Sequence, residues 1–404
     1  MRFVHLADAH LDTPFYGQGE DLRRRLREGA RISFSQAVDW ALNRRAHAFL
    51  IAGDLFDNDL LSFATERFLL GELARLEEGG VQVFYATGNH DPGQSGYRAH
   101  ALPWPKNVAL FLDGTPKTVE VYAQGRPVGY VTGAGHAAKG ERECLARNFP
   151  RERRDLPHVG LLHTQVTLAK EAGAHNPYAP STREDLAACP VDYWALGHIH
   201  VRQQVWPGFC AYYPGNIQGR NPRETGPKGF YWVELEKGSP KVEFVPSAPL
   251  EWLDLTFDLP EDEVVLDGLI GFLRGKLEEE LSSPGSRYLV RLRLAGRTPL
   301  VRELQEEENL QVIRDELQGI FGFPYLEVQE GSLYYPIDLA PYRESPSVLG
   351  ELLAIMDEIK KGELPDLAID LAADPPDRER YLLELAEGLE IEAAARLIPG
   401  GDRR

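Results

Sequence analysis

Short, nearly unbroken apolar runs punctuate the first 250 residues of this 404-residue chain: Phe3–Ala7, Ala48–Ala52, Val81–Thr87, Val159–Leu162 and Tyr193–Leu196. A strand with one wet face alternates apolar and polar residues, so continuous runs of this length predict strands covered on both faces. Amphipathic segments at Ala30–Arg45 and Ala64–Leu76 separate the first three runs and predict crossover helices. Between Ala109 and Gly133, Asp113-Gly114 and Gln124-Gly125 interrupt strand-like stretches and predict antiparallel hairpins. Ala211–Tyr213, Gly229–Leu235 and Val242–Val245 continue as sheet. The pattern describes an α/β core of two packed sheets over residues 1–246.

Pro246-Ser247-Ala248-Pro249 reads as a linker, and the pattern changes beyond it. A strand (Trp252–Phe257), a helix (Glu263–Leu281), a strand (Arg287–Leu294), a helix (Leu300–Phe321) and a strand (Tyr325–Gln329) predict a small α+β domain over 250–332. Tyr334–Pro346 reads as an extended connection. Residues 346–404 then carry two helices, Ser347–Lys361 and Asp377–Leu397. Leu349, Leu352, Leu353 and Met356, like Leu382, Leu383, Leu385 and Leu389, form helical-spaced apolar sets that suit either a core or a docking surface.

Composition narrows the class. Apolar residues at 43% and charged residues at 26% describe a folded chain, not a disordered one. No apolar run approaches the roughly 18 residues that would cross a bilayer. Three scattered cysteines, Cys144, Cys189 and Cys210, and no basic-then-apolar leader predict a cytoplasmic protein. The formal charge of −18 argues at first against a polyanionic partner. Its distribution removes that objection: residues 1–250 carry 28 acidic and 28 basic groups, and residues 251–404 carry 34 and 16.

The chemistry lies immediately after the apolar runs, in Asp8-Ala9-His10, Gly53-Asp54-Leu55-Phe56-Asp57, Gly88-Asn89-His90-Asp91, His163 and Gly197-His198-Ile199-His200. Groups at the carboxyl ends of neighbouring strands converge on one crevice. Hard oxygens mixed with imidazoles bind borderline divalent ions such as Mn²⁺, Fe²⁺ or Zn²⁺. Seven such donors are too many for one ion unless one is shared, and a carboxylate bridges two ions readily. The glycines at 53, 88 and 197 are expected to let the chain turn sharply there.

These five blocks resemble the calcineurin-like metallophosphoesterase superfamily, with its DxH, GDxxD, GNHD/E, H and GHxH pattern. The resemblance implies a two-sheet sandwich flanked by helices and two divalent metal ions, Mn²⁺ foremost. One ion would be held by Asp8, His10, Asp54 and His200, the other by Asp54, Asn89, His163 and His198, with Asp54 bridging. His90 would act as the acid or phosphate-contacting group, oriented by Asp57.

Within the superfamily, Asp57-Asn58-Asp59 departs from the GDxxDRG of protein phosphatases, and Asp57 stands where purple acid phosphatases need tyrosine. The segments VHLADAHLD, GDLFD, TGNHD, LLHTQV, YWALGHIH and YPGNIQGR with ETGPKGFYWVEL instead resemble SbcD-type DNA repair exonucleases and their YhaO-like branch. That resemblance implies a DNA exonuclease/endonuclease with a capping domain, a helical segment that docks on a coiled-coil SMC-like ATPase, and a homodimer, with no membrane association. A phosphatase or phosphodiesterase of nucleotides or other small phosphoesters is the alternative. Candidate DNA contacts are Tyr97-Arg98, Tyr178, Arg183, Arg202, Arg220 and Arg223, with Lys228 closing the last stretch.

Overall fold

The apolar runs of the amino-terminal half form strands. In the computed structural model, which describes residues 1–57, 61–94, 96, 102–166, 178–361 and 389–397, β1 (Arg2–Leu6), β2 (Ala48–Ala52), β3 (Gln82–Ala86) and β4 (Val108–Phe111) pair in parallel. β11 (Gly229–Glu236) and β12 (Ser239–Pro246) extend this sheet antiparallel beyond β1, giving the order β12-β11-β1-β2-β3-β4.

The second sheet comprises β5 (Lys117–Ala123), β6 (Arg126–Ala134), β7 (His158–His163), β8 (Tyr193–Gly197), β9 (Gln203–Trp206) and β10 (Phe209–Tyr213), in the order β5-β6-β7-β8-β10-β9. β6, β7, β8 and β10 are parallel to one another.

Alternation along each strand builds three hydrophobic layers. Phe3, Leu50 and Phe84 of one sheet meet Val131, Leu161 and Tyr193 of the other, so the sheets pack face to face. Val4, Phe49 and Ile51 face outward onto α1 (Glu20–Asn43) and α2 (Phe63–Glu78), against Phe34, Val38, Leu69 and Leu73. On the far side, Leu162, Trp194 and Leu196 pack on Leu145, Phe149 and Leu186, the last from α3 (Arg183–Ala187). Core strands are therefore wet on neither face, which is why their sequences do not alternate.

Two expectations for this part of the chain need correction. The helix expected from Ala30 begins at Glu20, where Glu20 and Asp21 favour the positive end of the helix dipole. Asp113-Gly114 is not a hairpin: β4 pairs with β3 in the first sheet and β5 with β6 in the second. That turn is the crossing between sheets; of the two, Gln124-Gly125 closes a hairpin.

Chain contacts divide the molecule into Met1–Leu253 and Asp254–Arg404. The carboxyl-terminal unit carries a three-stranded sheet, β13 (Glu251–Asp258), β14 (Tyr288–Arg297) and β15 (Tyr325–Tyr334), with β14 central and parallel to β15. α4 (Leu266–Glu280) and α6 (Glu307–Phe321) bury Leu273, Leu277, Ile313 and Leu317.

The single helix expected over Leu300–Phe321 breaks at Glu306, whose extended backbone separates α5 (Val301–Gln305) from α6. Glu307 and Glu308 are better placed in a first turn than mid-helix. The expected extended connection holds a one-turn helix, α7 (Ala340–Arg343). α8 (Val348–Lys360) is capped by Ser347, whose side chain accepts from the Gly350 amide. A last helix spans Leu389–Leu397. The remainder of the helix expected from Asp377, with Leu382, Leu383 and Leu385, lies outside the described residues. Among the described residues, no helix is long and apolar enough to cross a membrane.

Candidate metal centre

Five strands of the two sheets end at one place, and each delivers polar side chains there. β1 leads to Asp8 and His10, β2 to Asp54 and Asp57, β3 to Asn89 and His90, β7 ends at His163, and β8 leads to His198 and His200. The loops after β1 and β2 are laced together: the amides of Asp8 and His10 donate to the carbonyls of Gly53 and Asp54. Gly53 has φ +85°, and a Cβ there would collide with His163 Nδ1. Gly88 is required for a different reason than expected. It needs no left-handed backbone, but a Cβ would collide with the Asp54 carboxylate.

The imidazoles are fixed from behind. His10 Nδ1 bonds Asp57 Oδ1 at 2.8 Å, His200 Nδ1 bonds Glu224 Oε1 at 2.9 Å, and His163 Nδ1 bonds the Ala52 carbonyl at 2.9 Å. Each acceptor selects the Nδ1–H tautomer, which leaves a bare lone pair on Nε2. Those lone pairs point at other acceptors. His10 Nε2 and His200 Nε2 are 3.2 Å apart, and His163 Nε2 lies 3.0 Å from Asn89 Oδ1 and 3.4 Å from Asp54 Oδ2. Acceptors converging on acceptors make a cation site. Histidines backed by carboxylates or carbonyls are the usual support for metal ligands.

Asp54 Oδ2 lies between the two groups, also 3.7 Å from His10 Nε2. Asp8 Oδ1 is 3.9 Å from His200 Nε2, and the Asp8 carboxylate accepts the His198 amide at 3.1 Å. His198 Nδ1 lies 3.2 Å from Asn89 Oδ1. Three groups, Asp8-His10-His200, Asp8-Asp54-His163 and His10-Asp57-His90, each bring ligand atoms within 4.8 Å of one another. The residues present therefore suit borderline divalent ions.

Protonation separates the histidines by task. Burial pushes His10 down to about 3 and His198 down to about 4, and holds His163 well below its usual range. Neutral rings are the coordinating form. His90 moves the other way: burial opposes its charge, but the Asp57 hydrogen bond and the Asp54 carboxylate outweigh it and raise it to about 9. Its Nδ1 contacts the Asp57 carbonyl at 3.1 Å and Asp57 Oδ1 at 3.3 Å. Asp57 thus holds both His90 and His10, where only the first was expected.

The candidate DNA contacts separate in the same way. Tyr178 meets the His198 ring edge-on at 5.8 Å between centroids. Arg220 is also at the cluster, but its Nη1 donates to Asp57 at 3.1 Å, which engages it with a protein carboxylate. Arg202 covers the Phe244 ring at 4.0 Å and Arg183 lies 5.7 Å from the Trp206 ring. Arg223 is exposed, and its amide donates to Asn221. Tyr97 and Arg98 lie outside the described residues.

Two functional carboxylates escaped the sequence reading. Glu224 sits 24 residues beyond the histidine it supports, with no motif joining them. Asp91 was noticed only as a motif letter. It accepts the amides of Asp54, Leu55, Phe56 and Gly88 and the Tyr85 hydroxyl, tying the β2 and β3 loops together.

The sequence profile of calcineurin-like phosphoesterases matches residues 1–202. The metallophosphoesterase YhaO of Bacillus subtilis (strain 168) is 32% identical over 412 aligned residues, spanning 98% of this chain and 97% of that one. The DNA double-strand break repair protein Mre11 of Methanocaldococcus jannaschii is 28% identical over 249 residues, spanning 58% of this chain and 63% of that protein. A solved structure, TT1561 of Thermus thermophilus, matches with TM-score 0.36 and 13% identity over 60% of this chain and 98% of that one. The ligand-bearing strand ends all fall within the profile match, and the chain belongs to the calcineurin-like phosphoesterase family.

Proposed function

We propose that this chain is a two-metal phosphodiesterase that cuts DNA as an exonuclease/endonuclease in repair, in company with a coiled-coil, SMC-like ATPase. The observation that carries the hydrolytic part is the pair of acceptor clusters sharing Asp54, with the His90 ring held by Asp57 beside them. Support for DNA as substrate comes from the likeness to proteins named for double-strand break repair. The ATPase partner and a homodimer rest on the resemblance to SbcD-type nucleases.

Asp8, His10, Asp54 and His200 would hold one ion, and Asp54, Asn89, His163 and His198 the other; the mixed oxygen–imidazole set suits Mn²⁺, Fe²⁺ or Zn²⁺, and the resemblance puts Mn²⁺ first. Such ions neutralise a bound phosphate and make water acidic enough to serve as nucleophile near neutral pH. The protein's own part is orientation and proton supply. Asp57 fixes the His90 ring through Nδ1, which leaves Nε2 to hold the proton for the departing oxygen. Tyr178 lies beside the His198 ring and would stack on an unpaired base.

Purified protein with Mn²⁺ is expected to degrade linear DNA. His90→Asn is expected to lower the rate at least ~10²-fold while elemental analysis still finds both ions. Cleavage that survives this substitution would remove His90 from its role.

A further inference from the structure

Arg220 and Glu224 join the two ends of the metal centre. Glu224 Oε1 accepts from His200 Nδ1 at 2.9 Å, while Oε2 accepts Asn216 Nδ2 at 2.6 Å and the Arg220 amide at 2.8 Å. Both carboxylate oxygens are thus committed, and the side chain is only 11% exposed. The Arg220 guanidinium lies between two carboxylates: Nη1 donates to Asp57 Oδ1 at 3.1 Å and Nε is 3.6 Å from Glu224 Oε1. Asp57 in turn holds His10 at 2.8 Å and faces His90 at 3.3 Å. A continuous chain of contacts therefore runs from His200 through Glu224, Arg220 and Asp57 to His10 and His90. Lys228, itself buried, steadies the same histidine from the backbone side, with Nζ donating to the His200 carbonyl at 3.1 Å.

We infer that Arg220 and Glu224 are positioning residues that lock His10, His200 and His90 into one unit, with Arg220 acting on the metal centre and not on DNA phosphate. The inference rests on the two-metal reading above. A planar guanidinium can reach two carboxylates from separate nitrogens, whereas an ammonium is a single point charge. Lysine at 220 would keep the charge but lose the span. Glutamine at 224 would present an NH₂ group either to the Asn216 and Arg220 donors, losing both contacts, or to His200 Nδ1–H, losing that one.

The test is Mn²⁺ binding by the full chain without substrate, measured by equilibrium dialysis with elemental analysis. Thermal melts serve to confirm folding. Glu224→Gln and Arg220→Lys are each expected to weaken one of the two ions about 10- to 100-fold. The double variant is expected to lose little more than either alone, as for residues acting as one unit. In turnover, kcat is expected to fall with KM for DNA nearly unchanged.

Wild-type Mn²⁺ affinity in both variants would overturn the inference. So would Arg220→Lys raising KM alone, or fully additive losses. Should Glu224→Gln not fold, Arg220→Lys, at a partly exposed position that keeps its backbone bond, decides the question by the same readouts. Wild-type protein that bound no divalent ion would instead overturn the functional reading on which this one stands.

Discussion

Asp8, His10, Asp54 and His198 have φ of +50°, +44°, +49° and +108°. Backbone of this kind costs roughly 1–3 kcal/mol per residue outside glycine and persists only where neighbours over-determine it. Here the neighbours are identifiable: the Gly53 and Asp54 carbonyls hold the β1 loop, and the Asp8 carboxylate holds the His198 amide. The same side chains were legible from the sequence because each directly follows an apolar run. Glu224 and Asp91 were not, because what defines them is a partner brought near by folding.

Not every buried histidine serves the site. His5, fully buried, lies 3.0 Å from the Tyr193 hydroxyl and 3.1 Å from the Leu196 carbonyl, and burial pushes it down to about 3. A depressed histidine favours folding above its unfolded value near 6.5, and this contribution is lost as pH falls toward 3. Between pH 7 and 5 it amounts to about 2 kcal/mol. Urea unfolding of metal-free protein at those two pH values is expected to show His5→Gln losing about that much less than wild type. Equal losses would show that His5 does not remain neutral in the fold.

At the scale of elements, the strands of the core were readable where both faces are covered, since a run such as Ala48–Ala52 has no other stable home. Connectivity was less readable. Asp113-Gly114 carries a hairpin's turn chemistry, yet the chain uses it to pass from the first sheet to the second, a choice set by strand pairing in three dimensions. The break at Glu306 likewise depends on how α6 begins, not on helical periodicity.

Two glycines test this reading of the elements. Gly53→Ala places a Cβ against His163 at φ +85° and is expected to cost at least about 1–3 kcal/mol together with metal affinity. Gly71→Ala, mid-way along α2 with open space around it, is expected to stabilise by about 0.5–1 kcal/mol and leave the metal untouched. Calorimetry and metal analysis of both check the pair, and similar behaviour of the two would contradict it.

Taken whole, the chain separates its charge as it separates its chemistry. The first 250 residues are formally neutral and hold every candidate ligand, while the excess of 18 negative charges lies in the remaining 154. Two divalent cations would add about +4 at the strand ends and reverse the sign there. An overall acidic protein can therefore present a locally cationic crevice to a phosphodiester.

The most direct measurement is Mn²⁺-dependent hydrolysis by the full chain on duplex, single-stranded and hairpin DNA, run beside mononucleotides and a small phosphodiester. The account predicts that DNA is degraded, that EDTA stops the reaction, and that His90→Asn abolishes it with the metals still bound. Hydrolysis confined to mononucleotides or the small diester would contradict the assignment of DNA as substrate.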